Sequence, residues 1–142
     1  LGMPRITRVK AVLSFADAEV EDAATVLAET EDGVALSVEV SWSYTHHEDQ
    51  HYARVLGAEG SGSLPPLQVF KQLGGRPMDV TPRQPRSGDG KGYLNAYRRE
   101  IDHFLRAIRG LADAPLPTDQ AHLMEGVEAI YSSGREQTEV VL

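Results

Sequence analysis

The residues best suited to chemistry are concentrated in one short segment, His47-Glu48-Asp49-Gln50-His51. The segment reads H-E-x-x-H, and on a helix its two imidazoles would lie one turn apart and could share a Zn²⁺, with Glu48 as general base. The extended zinc pattern fails, because Arg54 and Gly57 stand where glycine and a third histidine are needed. A polar turn between two strands explains the same residues, and in that conformation the imidazoles would lie roughly 13 Å apart. We therefore favour the turn and predict no metal site, with a small metalloprotein as the alternative.

Two glycine-rich stretches resemble phosphate-binding loops without meeting their requirements. In the stretch at residues 88–92, Lys91 is followed by glycine, whereas a P-loop needs serine or threonine there. The stretch at residues 57–62 lacks the G-x-G-x-x-G spacing, and two prolines follow it where a helix would have to begin. Both are predicted to be turns. The sequence also lacks the G-x-S-x-G elbow of α/β-hydrolases.

Composition narrows the class of protein. The chain has 142 residues, the length of one domain, and a net charge of −7. An acidic balance argues against nucleic acid or an anionic membrane as partner, because both require a basic face. The sequence has no cysteine, which excludes a disulfide scaffold and a thiolate nucleophile. Without an apolar run of about 20 residues or a signal-peptide core, we expect a cytoplasmic protein.

The periodicity of apolar residues predicts the strands that hold the polar segment. Alternation is longest over Val34–Tyr44, where six large apolar side chains fall on one face and small or polar ones on the other. Asp32-Gly33 before it predicts a type I′ hairpin, and Trp42 is expected to anchor the core. The predicted strands are Arg8–Phe15, Asp22–Thr30, Val34–Tyr44, Tyr52–Gly57, Leu67–Leu73, Met78–Thr81 and Glu139–Leu142.

The second half of the chain changes to helical spacing. After a loop predicted over Pro82–Gly92, helices are predicted over Leu94–Arg109 and Asp119–Arg135, each with one apolar face. Strands segregated from helices predict an α+β fold. We expect one largely antiparallel, open-faced sheet with both helices on one face, forming a single domain over residues 1–142.

An ordered series of motifs resembles a known family. It includes Tyr97-x-x-Glu100-x-x-x-Phe104, Glu128-Ala129-Ile130-Tyr131-x-Ser133 and, earlier, Val20-Glu21-Asp22-x-Ala24. Together with Asp32-Gly33, Ser41-Trp42 and Gly57-x-Glu59-Gly60-Ser61, the series resembles the C-terminal domain of the glucose–fructose oxidoreductase / inositol dehydrogenase / rhizopine-catabolism (Gfo/Idh/MocA) family. The likeness covers essentially the whole chain.

The resemblance implies the C-terminal domain of a two-domain, NAD(P)-dependent oxidoreductase acting on a sugar, cyclitol or related polyol. Such proteins bind NAD or NADP in an N-terminal Rossmann domain that also carries the catalytic lysine, and this sequence lacks the fingerprint of that domain. Leu1-Gly2 looks like the end of the helix that carries the family's Asp and His pair. We therefore expect an inactive C-terminal portion of a longer enzyme, with no catalytic, cofactor-binding or metal-binding residue of its own.

The resemblance also suggests which residues reach the substrate. The polar turn after Trp42 is the segment that contacts substrate in similar proteins, so His46, His47 and Asp49 are implied donors and acceptors for polyol hydroxyls, with Tyr97 as a further candidate. The open face of the sheet is implied to form a homo-oligomer, and we expect the contact to run through Ala35, Ser37, Ser41 and Ser43. Glu39 on the same face would either pair with a cation such as Arg8 or Lys10 or lie at the rim of the contact. A free-standing binding or dimerisation module is the remaining alternative.

Overall fold

The computed structural model describes residues 4–17, 19–83, 91–113 and 120–142. Over these residues the chain forms strands and helices in the order β1 (Ile6–Ser14), β2 (Ala23–Thr30), β3 (Ala35–Ser41), β4 (Ala53–Gly57), β5 (Gly60–Leu64), β6 (Gln68–Leu73), β7 (Arg76–Asp79), α1 (Lys91–Ile108), α2 (Gln120–Glu136) and β8 (Val140–Val141). The α+β class predicted from the sequence is confirmed. The chain divides into unit 1, Leu1–Thr45 with Pro115–Leu142, and unit 2, His46–Ala114.

Unit 1 is an antiparallel sheet of order β3-β2-β1-β8 with α2 packed against β1. Directly paired residues of neighbouring strands project to the same face of a sheet. The register aligns Ala11, Val26 and Val38 in one such row. The first two of these, with Val9 and with Ala129 from α2, form the buried core.

Small residues on α2 let the helix approach the sheet closely. A Cβ atom at Gly126 would lie 2.9 Å from Ile6 Cδ1, and one at Gly134 would overlap the Leu13 side chain. Ser133 is fully buried, and its hydroxyl accepts the Ala11 N–H at 2.9 Å while donating to the Thr138 carbonyl. The hydroxyl thus satisfies a backbone N–H of β1 that lies beyond the pairing of β1 with β8 at Arg8 and Val9.

The hairpin between β2 and β3 forms where it was predicted, but its turn is one residue longer than type I′. Gly33 N–H donates to Thr30 O at 2.9 Å, and Thr30 N–H donates to Val34 O at 3.0 Å. Gly33 has a φ of +74°, whereas Asp32 does not have a positive φ. This pattern is a type I turn followed by a glycine bulge, in which one left-handed residue suffices.

Strand β3 is shorter than the predicted Val34–Tyr44, and its apolar face is only partly covered. Leu36, Val38 and Val40 are 37–52% exposed. Trp42 lies beyond the end of the strand with 89% of its surface exposed, so its prediction as a core anchor was wrong. Alternation identified the apolar face correctly but could not show how far α2 extends across it.

The opposite face of this sheet carries Ala35, Ser37, Glu39 and Ser41, as the alternation predicts. Of the two expected arrangements for Glu39, pairing with Arg8 or Lys10 is not seen among the described residues. Arg8 pairs with Glu29 and Glu139, and Lys10 donates to the Gln137 carbonyl. The register places Glu39 beside Thr25, away from either cation.

Unit 2 contains a second antiparallel sheet, of order β4-β5-β6-β7, so the strands form two four-stranded sheets where the sequence predicted one. Strand β5 runs through residues that were predicted to be a turn. Glycine is required at its first position, because a Cβ at Gly60 would collide with the Phe70 carbonyl oxygen of the paired strand. The limits of β6 and β7 lie within two residues of the strands predicted over Leu67–Leu73 and Met78–Thr81.

Helix α1 begins and ends close to its predicted limits, but its apolar side chains are not buried. The exposed fractions lie between 45% and 68% for Leu94, Tyr97, Ile101, Phe104, Leu105 and Ile108. The expectation of two helices packed on one sheet face therefore holds for α2 against β1. The predicted cap Asp119 and most of the predicted loop Pro82–Gly92 lie outside the described residues.

Candidate functional site

The segment between β3 and β4, residues 42–52, is a polar loop, as the sequence predicts. Its first residue is tied to unit 1 by a hydrogen bond from Trp42 N–H to the Asp22 carbonyl at 2.8 Å. The H-E-x-x-H segment lies inside this loop in non-helical conformation. The one-turn spacing on which a zinc protease relies is therefore not available to His47 and His51.

Two groups of the loop lie within hydrogen-bonding distance of one ring nitrogen of His46. The backbone N–H of Glu48 donates to His46 Nδ1 at 3.4 Å, and Gln50 Nε2 lies 3.2 Å from the same nitrogen. The ring of His46 meets the ring of His47 edge to face, with centroids 5.4 Å apart and planes at 62°. Just before the loop's histidines, the Ser41 and Ser43 hydroxyls lie 3.3 Å apart.

The structure places three of the four predicted substrate-binding residues together. His46, His47 and Asp49 lie within four consecutive positions of the loop, and all three side chains are exposed. Tyr97 lies in the first half of α1 with 48% of its surface exposed. The loop thus presents imidazole and carboxylate groups suited to hydrogen bonding with hydroxyls.

The described residues contain no group of three or more His, Cys, Asp and Glu side chains close enough to hold a metal ion. Together with the non-helical H-E-x-x-H segment, this leaves the metalloprotein alternative without a ligand set in that part of the chain.

A second polar cluster in unit 1 has no counterpart in the sequence-based predictions. Arg5 Nη2 lies 2.9 Å from His122 Nδ1, and Glu125 Oε2 lies 3.1 Å from the same nitrogen. These groups line a shallow cavity of about 200 Å³ beside Glu31 and Leu142. Arg5 and His122 are 117 positions apart, so local spacing gave no signal of the contact.

Two carboxyl groups have pKa values that are shifted by local hydrogen bonds. The hydrogen bond from the Tyr131 hydroxyl lowers the pKa of Glu21, and the same contact raises the pKa of Tyr131. Hydrogen bonds from the Thr81 side chain and backbone lower the pKa of Asp79 at the end of β7. The first contact joins α2 to the segment before β2.

The first of the two glycine-rich stretches along the chain has the conformation of a hairpin, as its predicted turn requires. Residues 57–62 form the hairpin between β4 and β5 together with the start of β5. Of residues 88–92, the first three lie outside the described residues and the last two begin α1. Among the described helices, none is long and apolar enough to cross a membrane.

Comparison with known proteins gives a family match and extensive structural similarity. Residues 2–63 match the family model described as the GFO/IDH/MocA C-terminal domain. A search of curated protein sequences gives no match.

Three solved structures illustrate the structural similarity. Levoglucosan dehydrogenase in complex with NADH and L-sorbose is 22% identical, with a TM-score of 0.75 over 96% of this chain and 44% of its own. Aldose-aldose oxidoreductase from Caulobacter crescentus, complexed with glycerol, is 24% identical, with a TM-score of 0.71 over 98% of this chain and 42% of its own. An oxidoreductase domain protein from Kribbella flavida is 18% identical, with a TM-score of 0.77 over 97% of this chain and 44% of its own.

The chain thus spans less than half the length of each of these proteins. The motifs that suggested the family have structural roles here, since Ala129 and Ser133 pack α2 onto β1 and Tyr131 binds Glu21. The resemblance predicted from the sequence is thus confirmed by the family match over residues 2–63 and by the shared fold.

Proposed function

We propose that this chain is the substrate-binding and oligomerisation domain of an NAD(P)-dependent oxidoreductase acting on a sugar, cyclitol or related polyol. The observation that carries the proposal is the loop 42–52, in which His46, His47 and Asp49 present exposed hydrogen-bonding groups between two strands. Ligands named for similar structures, L-sorbose and glycerol, are polyhydroxylated and would match these groups. Hydroxyl recognition needs donors and acceptors at fixed spacing, which a loop anchored by strands can supply.

The dinucleotide would be held by a Rossmann domain on a longer polypeptide, and it would supply the hydride acceptor or donor. The residues of this chain bind and orient the polyol. In the proposed arrangement Asp49 accepts hydrogen bonds from substrate hydroxyls, and the imidazoles of His46 and His47 donate or accept. Tyr97 is assigned as a further contact, through its hydroxyl.

The proposal assigns the open face of sheet β3-β2-β1-β8 to a homodimer contact. This face combines the small residues Ala35 and Ser37 with the exposed apolar side chains Val12 and Leu27. Short side chains allow two sheets to stack at roughly 10 Å, and a two-fold contact is self-complementary. Arg8 is already paired with acidic neighbours, which lowers the cost of burying its charge.

The function is tested on the complete reading frame that contains this sequence. We expect reduction of NAD⁺ or NADP⁺ with at least one of levoglucosan, L-sorbose, glycerol or inositol. His47→Ala and Asp49→Asn should each raise KM for that compound about tenfold, the effect of losing one substrate hydrogen bond. His103→Ala, at an exposed position of α1, is the matched control and should leave KM unchanged. Absence of activity with all four compounds, or equal KM values for all variants, would contradict the proposal.

The 142-residue chain alone provides a complementary test. Calorimetric titration with NADH and with NADPH should be flat, since the sequence lacks the phosphate-binding turn. Elemental analysis after dialysis should find far less than one zinc per chain. Micromolar binding of either dinucleotide would contradict the proposal that a separate Rossmann domain binds it. Stoichiometric zinc that is lost in His51→Ala would favour the metalloprotein.

The dimer contact is tested with Ser37→Arg. Two guanidinium groups would meet near the two-fold axis, so the variant should be monomeric by light scattering at tens of micromolar, whereas the unmodified chain should be dimeric. Gln72→Arg is the control, since it places the same side chain on exposed strand β6 of the other sheet. A monomeric unmodified chain, or a dimer that tolerates Ser37→Arg, would show that the wrong face was assigned.

A further inference from the structure

One ring nitrogen of His122 lies beside two groups that make opposite demands on it. Arg5 Nη2 lies 2.9 Å from His122 Nδ1, and Glu125 Oε2 lies 3.1 Å from the same nitrogen. A guanidinium has no acceptor atom and can only donate, so its contact needs a lone pair on Nδ1. An ionised carboxylate can only accept, so its contact needs a proton on Nδ1. The two contacts therefore exclude each other, whichever neutral form the ring adopts.

We propose that protonation of His122 exchanges the partner of this nitrogen: the neutral ring binds Arg5, and the protonated ring releases Arg5 and binds Glu125. A protonated imidazole has a hydrogen on both nitrogens, which leaves no lone pair for the guanidinium and places two positive charges side by side. Imidazole is the side chain that ordinarily changes its charge between about pH 5 and 8. The exchange belongs to unit 1 and is independent of the proposed polyol site.

The charged groups around the His122 ring come from four segments of the described residues. Arg5 precedes β1, Glu31 follows β2, Glu125 lies in α2, and Leu142, which carries the terminal carboxylate of the 142-residue chain, follows β8. The Arg5 N–H donates to Glu31 Oε1 at 3.1 Å, and the Arg5 carbonyl accepts the Glu31 N–H at 2.9 Å. These contacts hold the Arg5 backbone in place, so the exchange needs only rotation of side chains.

The exchange is tested by removing the guanidinium at two pH values. The side chains of His122 and Glu125 are 38% and 60% exposed, so water screens these contacts and their effects are modest. At pH 8, Arg5→Met should raise the unfolding equilibrium constant of the chain about two- to fivefold. At pH 5.5 the same variant should leave that constant unchanged or lower it, because the protonated ring repels the guanidinium. Urea denaturation at both pH values provides the measurement.

Two controls separate the imidazole from other causes of pH dependence. His122→Asn supplies a side-chain oxygen that can accept from Arg5 and has no proton to gain between pH 5.5 and 8. In that background, Arg5→Met should have the same effect at both pH values. Arg8→Met removes a guanidinium that pairs with the carboxylates of Glu29 and Glu139 rather than with an imidazole. Its effect should also be the same at pH 5.5 and pH 8.

Glu125→Gln tests the second partner. The variant removes the negative charge that binds the protonated ring, so it should destabilise the chain more at pH 5.5 than at pH 8. The proposal is overturned if Arg5→Met has equal effects at both pH values in the otherwise unchanged chain, or if its pH dependence persists in His122→Asn. Equal effects of Glu125→Gln at the two pH values would overturn it as well, because Glu125 would then not be the partner of the protonated ring.

Discussion

The two units of this chain differ in how they bury apolar surface. In unit 1, Val9, Ala11 and Val26 are almost inaccessible beneath α2, and Ser133 is fully buried. In unit 2, every described residue remains at least partly exposed, including Val55 and Leu56 in β4. Unit 1 therefore has a buried core of its own, whereas the described side chains of unit 2 form no fully buried cluster. Ala129 and Ser133, which belong to the motifs that suggested the family, are buried in unit 1. The histidines and Asp49 of the candidate site are exposed residues of unit 2.

Truncating one valine in each unit tests this difference in burial most directly. Val9→Ala removes two buried methyl groups, leaves a cavity and should lower the free energy of unfolding of unit 1 by about 2–3 kcal/mol. Val55→Ala, at a position 51% exposed in β4, should cost less than about 1 kcal/mol. Chemical denaturation with hydrogen exchange followed separately in peptides of each unit measures both. Similar losses for the two variants would mean that unit 2 has a core equivalent to that of unit 1.

The buried hydroxyl of Ser133 gives a sharper test of unit 1. Ser133→Ala leaves the Ala11 N–H and the Thr138 carbonyl without their partner and should cost about 1–3 kcal/mol. Ser132→Ala changes the neighbouring, half-buried serine and should cost less than about 0.5 kcal/mol. Thermal and urea unfolding of the two variants against the wild type provide the measurement. Equal effects would rule out the bridging hydrogen bonds as the cause.

The smallest effect is expected at the exposed contact between Tyr131 and Glu21. Tyr131→Phe should lower the melting temperature slightly across the neutral range. Glu21 has a lowered folded pKa, so its contribution is present above the ordinary glutamate pKa of about 4.3 and is lost as pH falls through the folded pKa. Tyr131 has a raised pKa, so its contribution is present below about pH 10 and is lost as pH rises through the folded pKa.

The difference in melting temperature between Tyr131→Phe and the wild type should therefore be largest between about pH 5 and 10 and shrink on both sides. Tyr52→Phe, in the exposed polar loop, is the control and should show no such profile. A difference that is independent of pH would exclude the hydrogen bond as its source.

The sequence predicted best where side chains carry the structural signal. Alternating apolar residues located β1, β2 and β3, and a period near four located α1 and α2. Strand β5 was missed because Gly60-Ser61-Gly62 has no apolar periodicity, and its place in the sheet depends on pairing with β4 and β6. The exposure of Trp42 was missed because alternation indicates a face without showing what covers it.

The same limit applies to the candidate site, where neighbouring residues in the sequence predict the loop but not the contacts that depend on its conformation. The polar loop was predicted from its composition. His46, His47 and Asp49 as substrate contacts were implied by the family resemblance and stay a prediction. The contact between Gln50 and His46 was not predicted, because it depends on a loop conformation that brings the amide to a ring four positions earlier. The cluster of Arg5, His122 and Glu125 depends on strand and helix packing across most of the chain, which no local spacing reveals.

The discontinuity of unit 1 has a consequence for how the chain folds. Strand β1 lies between β2 and β8 and beneath α2, so its partners come from both ends of the described sequence. During synthesis, all of unit 2 must leave the ribosome before Ala129 can meet Val9, and long-range closure of this kind slows folding. The hairpins of unit 2 join neighbouring segments and can pair as soon as they emerge. Until α2 arrives, the apolar face of β1 and β2 is exposed to water, which makes that interval the one in which the nascent chain is most prone to aggregate.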